Sequence, residues 1–219
     1  MNENSSKPLR HYDLADQWIG HLDQALHHVF LRQISQRDYP AQLYAEGELS
    51  PQEKQWSAGL MRVNHAGEMA AQALYQGQSI TARDQTIREK LRQASIEESD
   101  HLNWCRNRLD ELGEQPSKLD PFWYAGSFVM GVAAGVAGDR WNLGFLAETE
   151  HQVVRHLEDH LQRLPESDLR SRAIVTQMKT DEGEHAQLAE HLGAAKLPKP
   201  VQGLMKLTSK VMTALAQRI

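Results

Sequence analysis

Two Glu-x-x-His motifs, Glu98 to His101 and Glu182 to His185, are the side chains of this sequence best suited to metal chemistry. Residues three apart on an α-helix share a face, so the carboxylate and imidazole of each motif can bind one metal ion from the same side. A single copy arises by chance in charged helices, where it usually lies in solvent. The second copy makes a metal site the stronger interpretation.

A lone glutamate precedes each motif at nearly the same distance. Glu68 lies 30 residues before Glu98, and Glu150 lies 32 residues before Glu182. This order is similar to that of ferritin-like di-iron carboxylate bundles, in which two helices each supply a glutamate and the other two each supply Glu-x-x-His. The spacing therefore predicts six metal ligands: Glu68, Glu98, His101, Glu150, Glu182 and His185.

Hydrophobic periodicity indicates that these glutamates point into a core. Glu150 occupies an apolar position in the stripe of its helix, between Leu146 and Leu157, whereas Glu148 falls outside that stripe. Because this helix has no Glu-x-x-His motif, Glu148 is the nearest alternative for its ligand position. Like Glu184, it is expected on a solvated face.

The charge of such a site indicates which ions would bind it. Four carboxylates in a core without partners would cost more than folding can offset, whereas two divalent cations balance them. Oxygen and imidazole ligands without thiolate favour two iron ions, with manganese as the second choice. The single cysteine, Cys105, excludes a disulfide framework and a thiolate iron centre, and we expect it to fill space in the core.

Four further residues are candidates for supporting the ligands. Asp181 and Glu97 each precede a ligand glutamate and are expected to hydrogen-bond the ligand histidines, although a solvated position is the alternative for Glu97. We expect His65 to be a structural, hydrogen-bonded histidine. His156 follows Glu150 by six residues and can approach the site from the next turn. The other histidines are expected at the surface, including His27, His28, His160 and His191.

Helix-capping signals divide most of the chain into helices. The stretch from Ser50 to Glu53 combines a capping serine, proline at the first helical position and glutamate at the capping-box distance, so the first bundle helix begins there. Further helices are predicted at about 84–113, 139–165 and 167–193. Their ligand glutamates all fall near mid-helix, and antiparallel helices joined by short turns bring such positions to one level.

Size and composition favour one domain with appendages. The chain has 219 residues, of which 40% are hydrophobic and 24% charged. Its first residues resemble neither a secretory signal nor a transit peptide, which favours a bacterial cytoplasmic protein. We predict an all-α fold: an N-terminal helix (13–31) and linker (37–47) within 1–49, a ferritin-like four-helix bundle with a crossover segment over 50–195, and a basic amphipathic tail helix over 196–219.

The segment 121–138 contains no charged residue. As a helix it would span only roughly 27 Å and it is interrupted by four glycines, so we do not expect it to cross a membrane. It is expected to be a crossover that packs on the bundle, with Gly131 and Gly135 permitting close approach, or that dips into a membrane surface.

The tail differs from the rest of the chain in charge. The formal net charge of −5 divides into +5 on residues 196–219 and −10 on the remainder. The tail's apolar side chains form one helical face, a pattern typical of helices that lie on anionic membranes. Docking onto the acidic bundle is the alternative. The face comprises Val201, Leu204, Met205, Val211, Met212, Leu215 and Ile219.

The segment Arg62-Val-Asn-His-Ala-Gly-Glu68 resembles the signature of the demethoxyubiquinone hydroxylases, ferritin-like di-iron monooxygenases of ubiquinone biosynthesis. The likeness runs from about Trp56 to the C-terminus and leaves out the residues before Ser50. It implies the same six iron ligands that the spacing predicts, and roles in orienting substrate or ligands are open to Arg62 and Asn64.

The resemblance also implies a reaction and its partners. The substrates would be O2 and a polyprenylated methoxy-methyl-benzoquinol whose ring C–H is hydroxylated. Electrons would come from an external reductant, because the sequence has no Gly-rich nucleotide fingerprint. The expected location is the inner face of the cell membrane, with a helper protein of ubiquinone biosynthesis as a further possible partner.

Two other functions are compatible with the same ligands. A ferritin-like iron-handling protein, for storage or ferroxidase activity, would use them too, but it has little use for a basic amphipathic tail. A hydroxylase of modified tRNA is the other alternative. A net charge of −5 with no basic face on the bundle argues against nucleic acid as a partner.

Overall fold

The computed structural model describes residues 23, 31–32 and 35–219, and this part of the chain is all-α with no strand. The N-terminal helix expected over 13–31 lies almost entirely outside the described residues. The six helices are α1 (Pro51–Thr81), α2 (Gln85–Leu112), α3 (Asp120–Val136), α4 (Asp139–Arg163), α5 (Leu169–His191) and α6 (Lys199–Ala216).

Local capping explains where the bundle helices begin and end. At the start of α1, the Ser50 hydroxyl accepts from the Glu53 backbone N–H, and the Glu53 carboxylate accepts from the Ser50 backbone N–H at 2.8 Å. Asp84 caps α2 by accepting from two backbone N–H groups, and Gly113 ends it in the left-handed region at φ 78°. The predicted helix boundaries are therefore confirmed to within a few residues.

The bundle is layered along its axis. α1 packs against α2, α4 packs against α5, and α2 also meets α5. One apolar layer includes Met61, Trp104, Leu157 and Met178, and a second includes Tyr75, Leu91, Leu143 and Leu146. On every bundle helix the predicted ligand glutamate falls between these two layers. A buried polar layer is thus enclosed by apolar layers on both sides.

Helix α3 lies against α1 with almost no space between the two backbones. A Cβ atom on Gly131 would lie 2.2 Å from the Leu74 carbonyl oxygen, and one on Gly77 would lie 2.4 Å from the Phe128 carbonyl oxygen. A Cβ on Gly135 would similarly meet the Thr81 hydroxyl. The close packing expected from Gly131 and Gly135 is confirmed. None of the helices in the described part of the chain has the length and apolar character needed to cross a membrane.

Helix α6 lies beside α1 and α4, with Ala216 fully buried at its C-terminal end. Arg62 of α1 donates to the Gln217 carbonyl at 3.2 Å and to the Gln115 carbonyl at 2.8 Å. This signature residue therefore ties the end of α6 and the loop after α2 to α1. The contacts give it a structural role away from the ligand glutamates.

The expected linker before α1 is more ordered than its composition indicates. Residues Pro40–Leu43 form a short 3-10 helix whose Ala41 is buried in the core. The fully buried guanidinium of Arg108 then donates to Glu46 at 2.6 Å and 2.9 Å and to Asp168 at 2.8 Å. These ion pairs hold the segment to α2 and to the start of α5.

Candidate metal centre

Four predicted ligands converge in the polar layer of the bundle. Glu68, Glu98, His101 and Glu182 are all buried, and one potential ligand atom from each lies within 4.8 Å of the others. His101 Nδ1 lies 3.4 Å from a Glu68 oxygen, 3.3 Å from a Glu98 oxygen and 3.0 Å from a Glu182 oxygen. Each of three bundle helices therefore contributes to one compact group.

The second histidine extends this group into a pair of half-sites. His185 Nδ1 lies 3.5 Å from Glu98 Oε1 and 3.1 Å from Glu182 Oε2, while His101 faces the other oxygen of each carboxylate. Glu98 and Glu182 thus stand between the two imidazoles. Such carboxylates can bridge two cations, each held by one histidine.

Glu150 supplies the side of the site next to His185. It is 1% exposed, and the buried hydroxyl of Tyr75 donates a hydrogen bond to its Oε1. The Tyr75 ring also meets the His185 ring edge-on, with centroids 6.4 Å apart. Glu148, the alternative, is partly exposed and instead accepts from Gln152 at 2.8 Å. The stripe position of Glu150 correctly indicates burial, whereas no local sequence pattern indicates the Tyr75 contact.

The Nε2 atom of each motif histidine contacts an acidic residue of the other motif helix. His101 Nε2 on α2 lies 2.9 Å from Asp181 of α5, and His185 Nε2 on α5 lies 2.8 Å from Glu97 of α2. Each acid precedes a motif glutamate on its own helix and contacts the histidine of the other helix. A hydrogen bond at Nε2 fixes the ring so that Nδ1 faces the carboxylates.

Several buried atoms of this group have no hydrogen-bond partner of normal geometry among the described residues. They include both oxygens of Glu98, Nδ1 of His101 and one oxygen each of Glu68, Glu150 and Glu182. Buried polar atoms of native proteins are nearly always satisfied, so such a concentration points to a missing partner. Oxygen and imidazole nitrogen are the donors that iron and manganese accept. The residues therefore fit a site for metal ions.

Without bound cations, the electrostatics of this site would favour protons in their place. Burial raises the pKa of Glu68 well above its usual range, and the nearby Glu98 charge raises it further. Burial likewise raises the pKa of Glu150, with help from Glu182 and Glu98. For His101, burial opposes protonation, but the Asp181 and Glu182 carboxylates, which contact its two ring nitrogens, outweigh it and raise the pKa. Cation binding must therefore release protons.

An apolar cavity of about 380 Å³ leads from the surface to this cluster. Glu68, Glu150 and Glu182 lie in its wall, and Phe122 and Met130 of α3 lie at the exposed end. The remaining lining comes from α1, α4 and α6 and from other residues of α3. A larger cavity of about 560 Å³ has a mixed lining that includes the charged residues Arg106 and Lys118, and it contains none of the six predicted ligands. The apolar cavity is the one suited to deliver an organic molecule.

Two residues of the signature before Glu68, His65 and Asn64, lie in different surroundings. His65 is buried, with Nδ1 3.0 Å from Asp120 at the start of α3, which agrees with the structural role expected for it. Asn64 is buried and lines the apolar cavity. Of the two, Asn64 alone is placed to contact a molecule in that cavity.

His160 is not at the surface, and the expectation for it is wrong. It is 1% exposed, and its ring packs against that of His156 with centroids 3.9 Å apart. It follows the buried Leu157 by three residues and precedes the buried Leu164 by four, so helical periodicity did carry the signal. His156 lines the apolar cavity with its Nε2 atom buried and without a hydrogen-bond partner in the described chain. His191 is exposed as expected, and His27 and His28 lie outside the described residues.

The burial of His160 predicts acid sensitivity of the fold. Burial, aided by His156 and Arg163, lowers the pKa of His160 to about 2, whereas an unfolded histidine titrates near ~6.5. As pH falls below about 6.5, the unfolded chain gains a proton that the native state excludes, so this histidine lowers the free energy of unfolding by about 1 kcal/mol between pH ~6.5 and ~5.5.

The prediction is tested by urea unfolding of metal-free protein at several pH values. We expect the His160→Gln variant to lose about 1 kcal/mol less than the parent over that pH unit. His191→Gln, which removes an exposed histidine, is the control and should follow the parent. Parallel pH profiles for parent and His160→Gln would contradict the prediction.

The fold and the site define a class of protein, the ferritin-like helical bundles with a buried Glu and His cluster that could hold metal. A comparison with protein families identifies one family within this class. The family described as "Ubiquinone biosynthesis protein COQ7" matches residues 55–216, and the chain belongs to this family.

Curated relatives extend the similarity beyond the family's matched range. A protein of Chromobacterium violaceum named 3-demethoxyubiquinol 3-hydroxylase is 55% identical over 94% of this chain and 100% of its own length. Proteins of the same name from Polynucleobacter asymbioticus and Bordetella avium are 54% and 53% identical, over 94% and 96% of this chain and 99% and 97% of their own lengths. The alignments therefore include much of the segment before α1.

Proposed function

We propose that this protein is an O2-dependent di-iron hydroxylase that inserts one oxygen atom into the remaining ring C–H of a demethoxyubiquinol. The observation that carries the proposal is the buried cluster of carboxylates and imidazoles around Glu98, several of whose polar atoms have no hydrogen-bond partner among the described residues, at the end of an apolar cavity. The name of the relatives, 3-demethoxyubiquinol 3-hydroxylase, supplies the substrate. Their high identity over nearly the whole chain supports the transfer of that activity.

Six residues would hold the two iron ions. Glu68 and His101 would serve one ion, Glu150 and His185 the other, with Glu98 and Glu182 shared between them. When bound, a ferrous pair supplies the reduction of O2 that a C–H hydroxylation requires. Asp181 orients the imidazole of His101, and Glu97 orients that of His185, each by a contact with the Nε2 atom of the ring. Tyr75 fixes Glu150.

The chain's own contribution to the reaction is a dry, shaped site. The quinol head would enter the cavity of about 380 Å³ and lie beside Glu68, Glu150 and Glu182. The apolar walls exclude water, which strengthens electrostatic interactions within the site. Asn64 and His156 are the polar side chains in the wall that could hydrogen-bond the ring oxygens and so orient the C–H. The second oxygen atom of O2 leaves as water, with two electrons from an external reductant and two protons from solvent.

The surface around the cavity mouth suits a lipid substrate. On α3, Phe122, Val129 and Val136 are between 62% and 72% exposed. On α6, the side chains divide: Met205 and Met212 line the cavity, whereas an outward row remains in contact with solvent. The outward row consists of Val201, Leu204, Leu207, Val211 and Leu215.

We infer that α3 and α6 rest together on the inner face of the bacterial cell membrane. Lys206 and Lys210 are exposed on α6 beside the outward apolar row, and the tail as a whole carries +5. Basic residues near an anionic surface contribute about 1 kcal/mol each before screening. A polyprenylated quinol could then pass from lipid into the cavity between the two helices. A helper protein that presents the quinone would act at the same opening.

Iron storage or ferroxidase activity is the competing function for these ligands. An apolar cavity suited to an organic molecule and an exposed apolar row on α6 favour the hydroxylase. A storage protein has no need for either feature.

Quinone analysis of a deletion strain tests the proposed reaction. Cells that lack the protein and have no other hydroxylase for this step should accumulate the demethoxy quinone and lose ubiquinone, as measured by mass spectrometry of extracted lipids. The parent gene should restore ubiquinone, and a Glu182→Ala gene should not. Normal ubiquinone in the deletion strain would favour the iron-handling function instead.

A further inference from the structure

A short segment before α1, residues 35–37, contacts both Glu-x-x-His helices beside the buried cluster, and we name it the strap. The Gln36 backbone N–H donates to Asp100 Oδ1 at 2.6 Å, and the Ser35 hydroxyl donates to the same oxygen at 3.0 Å. Asp100 belongs to α2 and immediately precedes His101. The strap is therefore fixed to α2 at the residue next to a proposed ligand.

The third residue of the strap reaches the other motif helix. The Arg37 guanidinium donates to both oxygens of Asp181 on α5, with Nη1 2.7 Å from Oδ2 and Nη2 3.2 Å from Oδ1. Asp181 Oδ2 is also the atom that His101 Nε2 contacts at 2.9 Å. One carboxylate oxygen thus joins Arg37 directly to the proposed ligand histidine.

Arg37 also contacts the ring that packs against this histidine. Its guanidinium carbon lies 5.0 Å from the centroid of the Trp104 ring, and Trp104 lies 5.2 Å from the His101 ring, centroid to centroid. Trp104 is 1% exposed and His101 is fully buried. A single arginine therefore touches both the hydrogen-bond acceptor and the packing neighbour that determine the orientation of the His101 imidazole.

We propose that Arg37 is a positioning residue for the metal centre: its two hydrogen bonds fix the Asp181 carboxylate, which in turn holds His101 Nε2 and directs Nδ1 at Glu68, Glu98 and Glu182. A guanidinium suits this task because its planar fork matches both oxygens of a carboxylate. Outer contacts of this kind commonly govern metal affinity. The inference rests on the proposed function, because it assumes that His101 binds a metal ion.

The contacts of Arg108 allow a positioning role of Arg37 to be distinguished from simple attachment of this segment to the bundle. Arg108 is fully buried and pairs with Glu46, Glu111 and Asp168, so the segment between the strap and α1 is attached to the bundle without Arg37. The Arg37 side chain itself is 37% exposed. Loss of its guanidinium should therefore leave the metal-free fold nearly unchanged and act on the metal centre.

Metal titration of variants of the full chain tests the proposal. Anaerobic titration of Fe²⁺ should give the Arg37→Ala protein an affinity roughly 10- to 100-fold below that of the parent. The ligand-field spectrum of the Co²⁺-loaded variant should differ from that of the parent as His101 reorients. Arg37→Lys keeps the charge without the fork and should fall between the two. The melting temperature of the metal-free variant should equal that of the parent.

Arg163→Ala is the matched control. Arg163 also lies 5.0 Å from a tryptophan centroid, that of Trp56, and pairs with Asp159 at 2.9 Å, away from the six ligands. It should bind Fe²⁺ like the parent. An Arg37→Ala protein with the Fe²⁺ affinity and the Co²⁺ spectrum of the parent would overturn the proposal. Equal weakening of Fe²⁺ binding in Arg163→Ala would also overturn it, as would a loss of stability of metal-free Arg37→Ala that matches its loss of affinity. A parent protein that binds no Fe²⁺ would overturn the proposed function as well.

Discussion

The Glu98→Ala, Glu182→Ala double variant is expected to lose both iron ions and to keep its helical fold. These two carboxylates stand between His101 and His185, so their removal takes a shared oxygen ligand from each proposed ion. Turnover should be abolished, because the hydroxylation depends on the reduction of O2 that the iron pair would supply. Iron content by plasma emission spectrometry and far-UV circular dichroism measure the two effects.

A control for this variant removes glutamates of similar sequence position. The Glu148→Ala, Glu184→Ala protein loses two carboxylates from α4 and α5 that are exposed or partly exposed. We expect it to retain the iron and the turnover of the parent. Full iron content in the Glu98 and Glu182 double variant would refute the proposed ligand set, and iron loss in the control would return Glu148 to consideration.

Exchange of three exposed leucine and valine residues of α6 for glutamate is expected to release the protein from membranes. Leu204, Leu207 and Val211 are between 50% and 64% exposed and lie on the outward row. Each large apolar side chain contributes about 1.5 to 3 kcal/mol when fully buried in lipid. Three glutamates also add repulsion from anionic lipid, so partition onto such vesicles should fall roughly 100-fold or more.

Co-sedimentation with anionic vesicles measures this partition, and added salt should weaken binding of the parent. The matched control places glutamate at three exposed leucines outside α6, namely Leu43, Leu169 and Leu188. It carries the same added charge and should bind vesicles nearly as the parent does. The α6 variant should keep its iron, because none of the six proposed ligands lies on α6. Undiminished co-sedimentation of the α6 variant would leave α3 as the sole membrane contact.

The sequence predicts those parts of this protein that depend on local spacing. Ser50, Asp84 and Gly113 mark helix ends because capping is a contact between residues a few positions apart. The predicted ligand glutamates follow from a related pattern, since a repeat of 30 and 32 residues places them at mid-helix. Short sequence distances determine both the face of the helix on which a residue lies and its level along the helix.

Sequence spacing does not predict the contacts between segments that are far apart in the chain. Asp181 and Glu97 were predicted near the ligand histidines, but their crosswise pairing depends on how α2 and α5 are aligned. The Arg37 contact with Asp181 joins residues 144 apart, and no local pattern encodes it. His160 shows a different limit: its residue type favoured the surface, whereas its position between buried leucines decided its burial.

The backbone contact between α1 and α3 sets a limit on how this chain can vary. At Gly77, Gly131 and Gly135 even one added methyl group would meet atoms of the opposite helix, so any substitution must push the helices apart. α1 carries Glu68, and a displaced α1 would shift that carboxylate relative to His101. A survey of mutational tolerance should therefore rank these glycines beside the proposed ligand residues, although none of the three is itself a proposed ligand.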